Sequence, residues 1–355
     1  MGDVGFEIYE PESPPPSIHR VVDHLDGIEP PDWLIRSLIE DRTVGTMFGG
    51  WNVGKSVLAV DIACRVACGL PFGGQRARAG AVLYVAQEGR GALRRRFRAW
   101  ELHNNEKVDP SVYQTSIGIR IPDQLIEEEL KGAVQWLETN HDSLALVVMD
   151  TASATMVGDQ KHGADMNAYL GAIHRLFPES AVMLIHHPGH GDKSRGRGAS
   201  ELPAACDWEF QLERVDDFDN VVRLRNTKQR DAAPHRDIHF KLLHQSMGVD
   251  AEEEEFGSVV VEYLPAYEKS TAAERKPSPT GEDMLRVLRD LVTDHRERLI
   301  ASNRNPDSAR ILVEDWRKTC EKQDIKQATF RGIKARLIES ERVIIDGRYV
   351  SEPDA

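Results

Sequence analysis

Eight consecutive residues carry the densest chemistry in the chain. Positions 49–56 read Gly49-Gly50-Trp51-Asn52-Val53-Gly54-Lys55-Ser56, the pattern G-x-x-x-x-G-K-[ST] of a phosphate-binding loop. Gly49 and Gly54 let the backbone close around phosphate oxygens with successive N–H groups pointing inward. Lys55 brings a positive charge to the β- and γ-phosphates, and Ser56 offers a hydroxyl to Mg²⁺. With Val57 these residues make the predicted nucleotide-binding segment. Asp150 ends the apolar run 144–150, where a carboxylate helps hold Mg²⁺ beside Ser56. Hydrolysis also needs a group that orients or deprotonates water. Asp150 is followed by Thr151, so that role falls to Glu88, which ends the apolar run 81–88.

Three further groups of residues could act on a phosphate. His186 and His187 end the run 181–187. One of them could hydrogen-bond the γ-phosphate and report its loss to the loop that follows. Metal binding by His186, His187 and His190 is the weaker alternative, because neighbours on a strand point to opposite faces. The glycine-rich loop 188–199 carries Lys193, Arg195 and Arg197, suited to the phosphates of a nucleic-acid backbone or to a neighbouring subunit. Lys228 and Arg230, two apart on a strand, would project together. They could reach the γ-phosphate of an adjacent protomer as arginine-finger-like groups, or form a basic surface tip.

These residues need a frame that brings strand ends to one edge. Residues 43–48 read as a buried strand before the loop, and 57–66 as the helix whose N-terminus faces the phosphates. Apolar runs at 81–88, 144–150 and 181–187 read as further buried strands, with a weaker one at 112–121. Helices are predicted over 90–103, 125–138 and 165–177. The alternation predicts an α/β fold with a mainly parallel sheet covered on both faces. Short strands at 208–215, 221–226, 238–243 and 259–264 predict antiparallel edge strands, and the acidic stretch 250–255 a solvated loop. The predicted division is a flexible arm over 1–29, an ATPase domain over 30–265, a linker over 266–281 and a small domain over 282–355. The last stretch predicts helices at 284–299, 309–323 and 327–340 and a hairpin at 343–350, the order of a winged helix. Arg331, Lys334 and Arg336 charge its last helix, for DNA backbone or for a protein partner.

The bulk numbers set bounds. The chain has 355 residues, 40% hydrophobic content and a net charge of −13. An acidic chain is not a general polyanion binder, so nucleic acid must meet a local basic patch or a pore made by assembly. The four cysteines form no CxxC pair, and Cys64 and Cys68 read as small core residues. There is no signal-like N-terminus and no apolar run of membrane-spanning length. The expectation is a soluble cytoplasmic protein without a membrane partner.

The phosphate loop, Glu88, Asp150-Thr151, His186-His187 before a Gly/Arg loop, and Asn226-Thr-Lys-Gln-Arg230 together resemble the RepA-like branch of the RecA/DnaB-type hexameric replicative helicases, over about residues 30–265. The resemblance implies a RecA-like P-loop NTPase core that uses ATP and Mg²⁺. It implies a homo-oligomeric ring, a hexamer in that family, with ATP between subunits and single-stranded DNA through the centre. In that frame Lys55 and Ser56 bind phosphate and metal, Asp150 serves Mg²⁺, and Glu88 activates water. One of His186 and His187 senses the γ-phosphate, Lys228 and Arg230 act in trans, and Lys193, Arg195 and Arg197 lie near the channel. Replication proteins such as a primase or an initiator would be further partners. The C-terminal winged helix is not part of the minimal family core. Two other functions fit the same residues: a RecA-like DNA-dependent ATPase that loads or remodels without unwinding, and a nucleotide-switched winged-helix DNA-binding regulator.

Overall fold

The computed structural model describes residue 21 and residues 30–87, 90–186, 201–216, 220–267 and 279–353. The rest of the predicted arm, Glu88, His187 and the 188–199 loop with Lys193, Arg195 and Arg197 lie outside the described residues. A short hairpin, β1 (Trp33–Ile35) and β2 (Ile39–Glu40), comes first. Then β3 (Val44–Gly49), α1 (Lys55–Cys68), β4 (Ala81–Ala86), α2 (Arg90–Asn104), β5 (Val112–Gln114), α3 (Gln124–Asn140) and β6 (Leu144–Asp150) alternate. They are followed by α4 (Ala152–Thr155), α5 (Gly163–Leu176), β7 (Ala181–His186), α6 (Glu201–Ala205) and β8 (Trp208–Asp216). β9 (Val221–Gln229), β10 (Ile238–Val249) and β11 (Glu255–Leu264) complete this part.

Nine strands form one sheet in the order β11-β10-β9-β8-β3-β7-β6-β4-β5. Every pairing from β8 to β5 is parallel, and every pairing from β8 to β11 is antiparallel. The fold is therefore α/β with a mainly parallel sheet and an antiparallel edge. The sequence reason is visible in β3, β4, β6 and β7, which are buried at every position. Strands covered on both faces must be apolar throughout. Alternate residues serve two cores. Met47, Tyr84, Val148 and Met183 pack with Leu58, Ile62 and Trp100 of α1 and α2. Val85, Val147, Met149 and Leu184 pack with Leu130 and Val134 of α3 and Tyr169 and Ile173 of α5. Gly45 fixes one close approach: a Cβ there would lie 1.9 Å from the Trp208 ring.

Residues 279–353 contain α7 (Pro279–Ala301), a 3₁₀ turn at Pro306–Ser308, β12 (Ile311–Leu312), α8 (Val313–Glu321), α9 (Gln327–Glu339), β13 (Ile344–Asp346) and β14 (Tyr349–Ser351). The three strands pair in the order β12-β14-β13. Met284, Leu288, Trp316, Phe330, Leu337 and Val350 make a core of their own, and the Trp316 indole N–H donates to the Met284 carbonyl at 2.8 Å.

Several predicted elements differ in extent. The strand expected over 112–121 ends at Gln114. Ile119 and Ile121 are buried without joining the sheet, because Ile121 bonds through its backbone to Thr155 and Val157. The helix expected from 309 starts at Val313, because Ile311 and Leu312 pair with Val350 and Tyr349. The helix expected from 284 begins at Pro279, inside the predicted linker. Glu255, expected in a loop, opens β11. Cys64 is buried as expected; Cys68 is only half-buried. Among the described residues no helix is long and apolar enough to cross a membrane.

Candidate functional site

The parallel pairings bring β3, β4, β6 and β7 to the same level at their C-terminal ends. Phe48 lies beside His186, Asp150 beside Ile185, and Ala86 beside Asp150. In a parallel sheet this edge opens onto the loops. The loop after β3 turns at Asn52 (φ 57°) and Gly54 (φ 92°), both in the left-handed region, and then enters α1. Gly54 suits that conformation because it has no Cβ. A Cβ at Gly49 would meet the Leu212 carbonyl oxygen of β8 at 2.2 Å. The glycines thus serve the loop's shape and its seat against β8. The backbone N–H groups of the first turn of α1 have no intrahelical partner and favour an anion.

Lys55 is 6% exposed and donates to the carbonyls of Gly49 and Gly50, each at 2.8 Å. Burial lowers its pKa from 10.5 to about 8, and the charge of Asp150 pulls it back up. Asp150 is 7% exposed, and its Oδ2 accepts from the buried Tyr84 hydroxyl at 2.8 Å. Burial, then the Asp150 charge, pushes the Tyr84 pKa well up, so the phenol stays a neutral donor. Gly54, Lys55, Ser56, Val57, Asp150 and Thr151 line one cleft of about 740 Å³. That is the size of a small-molecule site.

Among the described residues no group of three or more His, Cys, Asp or Glu could hold a metal by itself. The donors present are the Ser56 hydroxyl and the Asp150 carboxylate. That set fits Mg²⁺, which takes one or two protein oxygens and completes its shell with phosphate and water. It does not fit a histidine-rich transition-metal site.

The sequence did not single out the other cations of the cleft. Arg96 of α2 reaches it near enough to Tyr84 to act on that phenol. Arg214 of β8 also lines it; its Nη2 donates to the Asn52 carbonyl at 3.0 Å and its Nη1 to the Asn220 side chain at 2.8 Å. No stretch of sequence signals Arg214, because the pairing of Leu212 with Gly49, two residues before it on the same strand, is set by strand order. Arg96 was hidden among five arginines of one helix. The β10–β11 hairpin adds Leu242, His244 and Val259 to the wall, and Trp51 stands 71% exposed at the rim.

Other predicted residues sit elsewhere. His186 is buried, and strand alternation groups it with Val182 and Leu184, on the opposite face from cleft-lining Ile185. Lys228 lies beside Glu209 of β8, near the strand's start, and so at the sheet edge away from the cleft. Its ammonium donates to the carbonyls of Pro203, Ala204 and Cys206, at 2.8, 3.1 and 2.6 Å. Arg230 follows at the same edge, half-exposed, with its guanidinium 2.6 Å from Asp207. Arg331 is exposed on α9, with Lys334 and Arg336 partly covered.

Among curated protein sequences none matches the chain significantly. A solved structure titled as the RadB recombinase is similar to it at 15% identity and a TM-score of 0.40, over 58% of this chain and 89% of that one. A family model described as an AAA domain matches residues 10–193, more than half of the chain and all of the phosphate loop, Asp150 and His186. The chain belongs to the AAA domain family, and with it to the P-loop ATPases.

Proposed function

We propose that the chain is an ATP-driven translocase on single-stranded DNA, a RepA-like helicase that works as a ring, with six subunits, in DNA replication. Supporting this reading above all is the separation of two sets of groups. Lys55, Ser56 and Asp150 share the cleft at one sheet edge, while Lys228 and Arg230 sit at the other. They cannot serve the same chain's phosphates. A head-to-tail contact, repeated until it closes, lays one chain's Arg230 on the next chain's cleft. The Arg230–Asp207 pair is half-exposed, and such pairs contribute only about 0–1 kcal/mol, so a γ-phosphate can take the guanidinium over. Lys228 reaches a phosphate only by leaving the three carbonyls by which it holds α6 and Cys206.

In this mechanism Lys55 leaves the loop carbonyls for the β- and γ-phosphates as the triphosphate enters. Ser56 and Asp150, the latter held by the Tyr84 hydroxyl, would hold Mg²⁺, which would offset the charge of the phosphates. Glu88 follows Gln87, whose N–H donates to the Asp150 carbonyl at 3.1 Å, and it takes a proton from the attacking water. His187 senses the γ-phosphate, and Lys193, Arg195 and Arg197 pass its loss to the DNA. The winged-helix order of residues 282–355 supports a second DNA contact through Arg331, Lys334 and Arg336.

The test joins mass and turnover. Sedimentation with an ATP analogue and single-stranded DNA should give a closed assembly, and DNA should stimulate phosphate release. Glu88→Gln should keep ATP binding and lose turnover. A lone subunit hydrolysing ATP at full rate under every condition would end the ring reading. Unchanged annealing of a forked duplex, with DNA-stimulated turnover intact, would turn it into a loading or remodelling ATPase.

A further inference from the structure

A second groove, of about 770 Å³, lies between α2 and the β10–β11 hairpin and is lined by Arg94, Arg95, Arg98, Leu102, Met247 and Phe256. It neighbours the nucleotide cleft, whose wall holds Arg96 of the same helix and Leu242, His244 and Val259 of the same hairpin. Among the described residues Arg94 and Arg95 form no ion pair and are exposed, while Arg98 pairs with Glu101 at 2.7 Å. Leu102 and Phe256 are each 41% exposed, and Val249 further along the hairpin is 63% exposed. The groove thus presents two exposed arginines without an ion pair beside exposed apolar side chains, with the acidic turn 250–254 at the tip of the same hairpin. That combination marks a binding surface rather than a solvated face.

The opposite sheet edge has the complementary character. The Thr43 hydroxyl donates to the Glu40 carbonyl at 2.6 Å and the next residue's N–H to Asp207 Oδ2 at 3.0 Å, which brings Glu40 and Asp207 to one strand start; burial, and then the negative charges of Asp231, Asp207 and Asp32, raise the Glu40 pKa. Asp207 is occupied by Arg230, and Asp32 lies 3.5 Å from Arg78; among the described residues Glu40 and Asp231 have no salt bridge. Trp33, half-buried, lies beside Glu40 in the β1–β2 hairpin, with exposed Pro30 and Pro31 before it. Asp231 directly follows Arg230.

We infer that the groove between α2 and the β10–β11 hairpin seats the Glu40–Asp231 edge of a second copy of this chain. This rests on the ring reading and names the charges that set its seam. The contact that carries one copy's Arg230 to a cleft carries Asp231 and Glu40 to the groove beside it. Arg94 and Arg95 meet those carboxylates, and Leu102 and Phe256 cover the Trp33 hairpin. Relief of carboxylate crowding and of unpaired guanidinium charge favours this register over others.

The experiment is charge reversal read by sedimentation, with ATP analogue and without DNA. Arg94→Glu with Arg95→Glu should raise the concentration needed for assembly by about tenfold or more. Adding Glu40→Lys and Asp231→Arg to the same chain should restore assembly. High salt should weaken the wild-type assembly, since it screens exposed charges. Phe256→Ser, which alters no charge, should also weaken assembly. Assembly of the Arg94→Glu, Arg95→Glu chain at the wild-type concentration would overturn the inference and leave the ring standing. If that reversal spared assembly but abolished binding of a single-stranded oligonucleotide, the groove would be a nucleic-acid track, which also overturns it. A wild-type chain that never assembles would sink both.

Discussion

The two edges of the central sheet are made by the same strands and hold their cations differently. At the C-terminal edge Lys55 is nearly buried and bonded only to carbonyls, with Arg96 and Arg214 beside it and Asp150 committed to Tyr84. At the other edge Arg230 is paired with Asp207, Lys228 is held by three carbonyls, and burial and then the charges of Asp231, Asp207 and Asp32 raise the Glu40 pKa. The contrast teaches where a polyanion belongs. A cleft that buries a lysine against loop carbonyls, so that burial lowers its pKa, favours an incoming anion. An edge whose cations are already paired offers a polyanion less.

Four experiments break or sharpen this contrast. The largest effect is expected at the edge remote from the cleft. Arg230→Ala should cut ATP turnover by about 10³–10⁵, as loss of an arginine finger does, while leaving ATP affinity of the isolated chain unchanged. The measurement is DNA-stimulated phosphate release beside equilibrium ATP binding. A small loss would leave Arg230 a surface group. Mixing this variant with Lys55→Ala chains should restore part of the turnover, because each supplies what the other lacks; no recovery would place the arginine in cis.

Lys55→Ala should come next, with a fall of about 10²–10³ in turnover from the lost phosphate contact. Thermal unfolding of the nucleotide-free protein should show no loss of stability, since a buried and poorly compensated ammonium is removed. Marked destabilisation would mean the two loop carbonyls compensate it fully.

The third effect is on pH. Lys55 titrates at about 8 in the fold and near 10.5 when unfolded. Between those values the unfolded chain holds the proton and the fold has released it, so this group makes the empty protein more stable as pH rises from 8 towards 10.5. Triphosphate binding runs the other way, because it needs the ammonium. Affinity should be flat below pH 8 and fall by at most about tenfold per unit above it. Calorimetric titration at pH 7 and 9 tests this, and equal affinities would show that burial does not perturb the lysine.

The smallest effect is at the rim. Trp51→Ala should change stability by no more than about 0.5 kcal/mol, as exposed substitutions do. It should abolish a nucleotide-induced change in tryptophan emission. Persistence of the whole change would assign the signal to another tryptophan.

Much of the fold was legible because burial on both faces leaves a strand no choice of residue. The runs 144–150 and 181–186 are apolar at nearly every position, and both are sheet strands. Ile119 and Ile121 mislead by the same logic, since burial makes a residue apolar whether or not its backbone joins a ladder. Ile311 and Leu312 suit either period, and the open edge of β14 decided the outcome.

By itself the sequence determined the phosphate loop, the strand that ends at Asp150 and the change to antiparallel pairing after Asp207. Each is local: a glycine spacing, an apolar run or an alternation that contiguous residues enforce. Only the tertiary structure decided that Tyr84 holds Asp150, that Arg96 and Arg214 enter the cleft, that His186 faces away from it, and that Lys228 and Arg230 stand at the far edge. Those facts depend on strand order and helix phase, which set distances between residues far apart in the chain and leave no mark on any one stretch of it.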